Sequence, residues 1–173
     1  ASALTFSVAG LPAGTSTQAQ TLSVSSTPVS IDFGTLPLQT DVFAAQRITV
    51  DSNATDGYQV LIYSDQPLTS AGGSVIPDLA ASNSSPVNWA SVCTATTTSC
   101  FGYRTSDATL QGGSTRFAPT GVYAGLSRDP AELFFSATPA IDTYDVVYRT
   151  LIRPLQPAGD YVTNIVYVAV PSH

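Results

Sequence analysis

The sequence predicts an all-β chain, an antiparallel β-sandwich with an N-terminal strand arm, and three observations carry that prediction. The residue types that coat helices are nearly missing: 173 residues hold no Met, no Lys and a single Glu, whereas helix surfaces draw on these types. Val, Ile, Thr, Tyr and Phe recur with period two over short runs, the pattern of a pleated, half-buried strand. Clusters of Gly, Pro, Asn, Asp and Ser cut those runs apart at short intervals.

Residues 2–8 alternate, with Leu4, Phe6 and Val8 on one face and Thr5 and Ser7 on the other, so they form a half-buried strand. Gly10-Leu11-Pro12-Ala13-Gly14 ends it, and the polar stretch from Thr15 to Gln20 follows. Residues 1–20 are therefore a strand plus tether, and residues 21–173 the sandwich domain. Leu22/Val24 and Ile31/Phe33 predict short strands, and 34–40 a loop. Residues 44–50 and 58–63 predict a hairpin about the turn at 51–57. Residues 64–100 are rich in Pro, Ser and Asn, which predicts loops, short strands and one short helix near 78–81. Short strands follow at 101–104, 116–117, 122–126 and 133–136. The longest β-branched and aromatic runs are 143–152 and 161–170, joined by the proline-stiffened 153–160. Because both faces of 161–170 are apolar, it is expected to be central and to pair with 143–152.

Composition bounds the function. The net charge is −6, and all six basic residues are Arg. No basic patch exists to neutralise phosphates, which argues against a nucleic-acid partner. No apolar run approaches the ~20 residues that span a bilayer. Ser and Thr number 21 and 22, and the opening Ala1-Ser2-Ala3 fits the start of a mature exported chain. Cys93 and Cys100, with six residues between them, predict a local disulfide and an extracellular setting. Two Cys and one terminal His do not make a four-ligand zinc site.

Catalytic patterns are missing. The sole histidine is His173, too close to the terminus to be held as a base. There is no G-x-S-x-G elbow, P-loop or dinucleotide fingerprint. Glu132, beside Arg128, Asp129 and Pro130, is expected to be solvated rather than poised in an apolar pocket as a glycosidase acid would be. No enzyme activity, metal or cofactor is expected. Asp51 to Gly57 has the oxygen-rich look of a Ca²⁺ loop, but the spacing fails; a turn with Gly57 at positive φ is the expectation. Asn53-Ala54-Thr55 and Asn83-Ser84-Ser85 are glycosylation sequons, which makes Asn53 and Asn83 candidate acceptors.

The segments Ile31-Asp32-Phe33-Gly34-Thr35-Leu36 and Ile48 to Tyr58, and the ending Pro157-Ala158-Gly159-Asp160-Tyr161 through Pro171, resemble secreted bacterial β-sandwich surface proteins. Among these are WxL-type cell-surface domains and fimbrial subunits. The resemblance implies an immunoglobulin-like or pilin-like sandwich. It implies peptidoglycan binding only where the W-x-L tripeptide is kept, and here Tyr167-Val168-Ala169 stands in its place.

Two classes of function remain. In the first, the chain is a structural subunit of an extracellular filament or surface layer, with copies of itself as partners. Sortase-type pili need a lysine and an L-P-x-T-G signal, and type IV pilins need a long apolar N-terminal helix; neither is present. Donation of the N-terminal strand to a neighbour remains, with Leu4, Phe6, Val8 and Leu11 as anchors. In the second, the chain is a cell-wall- or carbohydrate-binding module, with Tyr58, Tyr63, Trp89, Tyr103 and Tyr123 as stacking faces for cell-surface glycans.

Overall fold

The computed structural model describes residues 1–94 and 98–173. Seven strands build two facing sheets: β1 (Leu4–Gly10), β2 (Val42–Ser52), β3 (Tyr58–Ser64), β4 (Cys100–Thr105), β5 (Ala131–Ser136), β6 (Ala140–Leu151) and β7 (Ile165–Pro171). One sheet has the order β1-β2-β6-β4 and the other β5-β3-β7, and every pairing is antiparallel. Two-residue strands and long loops fill the connections. This is the all-β sandwich architecture that the composition predicts.

The core lies between the sheets. Ile48 and Val50 from β2 and Val146 and Tyr148 from β6 meet Tyr58, Val60 and Ile62 from β3, as strict alternation requires. The outer face of β2 and β6 is also covered. Leu11 and Leu22 pack on Ala45 and Val147. Lower down, Trp89, Tyr123 and Phe43 surround the Arg149 guanidinium at 4.7, 5.3 and 4.9 Å, and Arg149 pairs with Asp41 at 2.9 Å. A guanidinium stacked on rings and paired with a carboxylate tolerates burial that a lone charge does not.

The structure corrects four local expectations. The stretches 44–50 and 58–63 are not a hairpin: β2 and β3 lie in different sheets. The turn between them is an arch from sheet to sheet, since both strands are needed inside the core. The run 161–170 does not pair with 143–152. Its strand β7 is an edge strand whose one strand partner among the described residues is β3, from Ile165↔Ser64 to Pro171↔Tyr58. The end of β6 is held elsewhere, because Ile152 accepts from the Gln39 N–H and Arg153 N donates to Ser99 Oγ. The central strands, buried on both faces, are β2 and β6. Among the described residues the one helical turn is α1 (Trp89–Val92), while residues 78–81 are not helical: Asp78 bridges to Phe101, and Leu79 N donates to Phe101 O. Finally, Glu132 is buried and not solvated. Its carboxylate accepts from Gln111 N at 2.8 Å and Gln59 Nε2 at 3.2 Å.

The tyrosines tie the core to pH. Burial pushes the phenols of Tyr103 and Tyr144 up to about 12, and it raises those of Tyr58, Tyr123, Tyr148 and Tyr167 above the usual 10.0. The folded state thus keeps protons that the unfolded chain releases above pH ~10. Their contribution to stability is complete below pH ~10 and falls as pH rises toward 12. The urea midpoint is expected to drop across that window, with the tyrosine absorbance change following unfolding. A midpoint that stays level to pH ~12 would contradict this.

Candidate assembly surface

The N-terminal strand is the first part of the surface. In the single chain β1 lies antiparallel on β2, in register from Leu4↔Ser52 to Gly10↔Gln46. Asn53 extends the ladder past its end: Ala3 N donates to Asn53 Oδ1 at 2.6 Å, and Asn53 N donates to Ala3 O at 3.1 Å. Leu4, Phe6 and Val8 face inward and pack on the core, but each is only half-buried. Leu11 sits apart from them, buried on the outer face of the same sheet. Residues after the strand are docked too. Thr17 Oγ1 donates to Asp145 Oδ2 at 2.8 Å, and Arg104 Nε donates to Gln18 Oε1 at 2.9 Å.

The second part is the edge opposite β1. Strand β7 closes the three-stranded sheet and carries no strand on its outer side among the described residues. Its upper end meets β1, where Phe6 and Tyr167 approach with ring centroids 6.4 Å apart and Ser2 Oγ lies 3.4 Å from His173 Nδ1. Below, the sheets part. A groove of about 1050 Å³ opens between residues 28–38 and 156–165, and Leu68, Ile76, Phe101, Tyr148 and Tyr167 contribute to its lining. These are core residues, so the groove reaches the interior. Tyr148 Oη and Tyr167 Oη lie 2.5 Å apart, and Tyr167 Oη donates to Gln46 Oε1 at 2.8 Å, pinning β7 to the facing sheet. Three of the most exposed large apolar side chains line the same groove: Val29 (92% exposed), Val162 (61%) and Leu38 (56%). Asp32 and Asp160 are the charged residues lining it.

The remaining predicted residues lie elsewhere. Cys93 and Cys100 form a disulfide with Cα atoms 6.1 Å apart, and residues 95–97 of the Thr-rich loop it closes lie outside the described residues. The Arg153 guanidinium donates to the Cys93 carbonyl, which fixes this loop to the end of β6. Alkylation without reductant is expected to label no thiol, and reduction to cost about 2–3 kcal/mol from loop closure. Two labelled thiols in the native protein would contradict it.

The 51–57 loop closes as a turn, with Gly57 at φ 79° and Gly57 N donating to Ala54 O at 2.9 Å. Asn53 is exposed at this turn. Asn83 is buried, and its amide nitrogen, the atom a glycan needs, donates to Glu132 O at 2.5 Å. Of the five stacking candidates, Tyr58, Trp89, Tyr103 and Tyr123 are buried in the two cores and offer no face to a glycan. Sequence reasoning missed the groove and the open edge of β7. The run Val166, Val168 and Val170 was the signal, apolar side chains alternating with the inward ones, of which Val170 is exposed.

Among the described residues, no helix is long and apolar enough to cross a membrane. No family model matches the chain, and neither the curated proteins nor the solved structures give a match.

Proposed function

We propose that the chain is a non-enzymatic structural subunit of an extracellular filament or surface layer, assembled without covalent links by exchange of its N-terminal strand between copies. The observation that carries this reading is the state of β1. It is an edge strand bonded, among the described residues, to β2 alone, with three inward anchors half-buried. A neighbour's β1 can make every one of those contacts, so exchange conserves the folded interactions and extends them from copy to copy.

Magnitudes suit a reversible link. Three half-buried anchors contribute on the order of 3 kcal/mol, and the ladder fixes the register. Ordering the arm offsets part of this. A head-to-tail exchange of this kind does not close on itself and yields a filament. The disulfide supports an oxidising location, and the resemblance of residues 31–36, 48–58 and 157–171 to secreted surface proteins points the same way.

Deletion of residues 1–9 is expected to abolish polymers seen by electron microscopy and to leave a single small species on size exclusion. A truncated protein that polymerises like the full-length chain would overturn the proposal.

A further inference from the structure

The hairpin after β1 is strained at its tip. Ser16–Thr17 and Gln20–Thr21 pair antiparallel, so the turn between them is the two residues Gln18 and Ala19. Both stand in the left-handed region, Gln18 at φ 51° and Ala19 at φ 61°. A two-residue turn of this kind favours Asn-Gly or Gly-Gly. A Cβ in that region weights the closed turn down by about five- to thirtyfold per residue. Ala19 is exposed, and its methyl group makes no hydrogen bond that could offset this. Gln18 holds the turn shut: its Oε1 accepts from Arg104 Nε and its Nε2 donates to Asp145 O, each at 2.9 Å. Strain of this kind persists only where the surroundings impose it, and it gathers at parts of proteins that switch.

The segments on either side of the tip are bonded to each other. Leu22 N donates to Thr15 O at 2.9 Å and Gly14 N to Leu22 O at 2.8 Å. Ala13 N donates to Ser25 Oγ, Leu11 N to Ser26 Oγ and Ser26 N to Leu11 O, each at 2.9 Å. Leu11 is buried against Leu22, Ala45 and Val147. At Gly10 an added Cβ would lie 2.1 Å from the Ser26 carbonyl oxygen, so the chain leaves β1 already pressed on the body. Residues 10–14 are therefore not a slack tether. Bending there would pull Leu11 from its seat or split its ladder on Ser25 and Ser26. Opening the tip costs the turn itself and the two bonds of Gln18.

We propose that the Gln18–Ala19 turn is the hinge of the exchange, and that residues 1–17 leave as one unit to occupy the same seat on a second copy. This rests on the strand-exchange reading and adds where the chain opens. The seat on the acceptor is β2, residues 20–26 and Asp145, which accepts from Thr17 Oγ1 between copies as it does within one. Leu11 travels with Leu4, Phe6 and Val8 as the fourth anchor. The ladder bonds of residues 11–15 re-form between copies, and straightening Gln18 and Ala19 releases the strain. Short hinge loops under strain favour exchange for this reason.

The test places a cysteine pair across the hairpin of every full-length copy, Ser16→Cys with Thr21→Cys, two exposed residues that face each other. The pair is kept reduced until assembly is complete, then oxidised, and the product is run on a denaturing gel without reductant. Dimers or ladders linked from residue 16 of one copy to residue 21 of the next are the expected result. Polymers that fall to monomers, with the 16–21 link inside one chain, overturn the inference and leave strand exchange intact, the chain then opening before residue 16. A parent chain that stays monomeric at every concentration overturns both. A second variant covers the case in which the cysteines block assembly. Ala19→Gly removes strain and keeps the Gln18 bonds. The concentration at which half the protein is assembled is expected to rise about fivefold or more, with a monomer midpoint no lower than the parent's, and a value within about twofold of the parent's overturns the inference.

Discussion

Replacing Arg116 by Met is expected to lower stability by about 3–5 kcal/mol, among the largest effects of any single side chain. The strand β5 slips register between Glu132 and Phe134, leaving Leu133 without a partner on β3. A bulge of this kind takes carbonyls out of the ladder. The Arg116 guanidinium recovers them: Nη1 donates to Glu132 O and Nη2 to Leu133 O, each at 2.6 Å, while Nε donates to Asp107 O at 3.3 Å. Its charge also faces Asp107 and Glu132, both buried. Met fills much of the volume and supplies none of these bonds, so buried carbonyls and carboxylates lose their partner together. Urea unfolding of Arg116→Met measures the loss. A change below about 1 kcal/mol would show that water replaces the guanidinium.

Gly57→Ala is expected to cost on the order of 3 kcal/mol, a fall of about 6–12 °C in thermal midpoint for a chain of this size. Two effects act in the same direction. Gly57 has φ 79°, which strains any residue with a Cβ. An added Cβ would also lie 1.9 Å from the Ser136 carbonyl oxygen, a backbone atom that no rotamer change moves. The site joins three strands, because Ser172 N donates to Gly57 O at 3.0 Å just beyond β7. Opening it to admit a methyl group therefore spreads the ends of β3, β5 and β7. A midpoint within about 2 °C of the parent would mean that the arch relaxes freely.

What was legible in the sequence was local. The alternation at 2–8, 44–50, 58–63 and 143–152 marks strands that exist, and the turn chemistry at 51–57 placed Gly57 at positive φ. Pairing was not legible, since it depends on contacts distant in the chain. An apolar strand reads the same whether it lies at the centre of a sheet or, like β7, at its edge. Polar residues misled for a related reason. Glu132 stands in a charged turn by sequence, yet Arg116 and the bulge draw it inside, and Asn83 is a sequon whose amide the same bulge uses. The groove was invisible because its walls, 28–38 and 156–165, are loops that only the fold brings face to face.

The account turns on whether β1 can be supplied by another molecule, and complementation in solution measures that most directly. The chain lacking residues 1–9 is titrated with a synthetic peptide of residues 1–11, and its thermal midpoint and size are followed. Saturable binding that raises the midpoint toward that of the full-length protein, with the complex remaining a single capped unit, is the result this account predicts. A truncated chain whose midpoint and size do not respond to the peptide would contradict it, because β1 would then act only within its own sandwich.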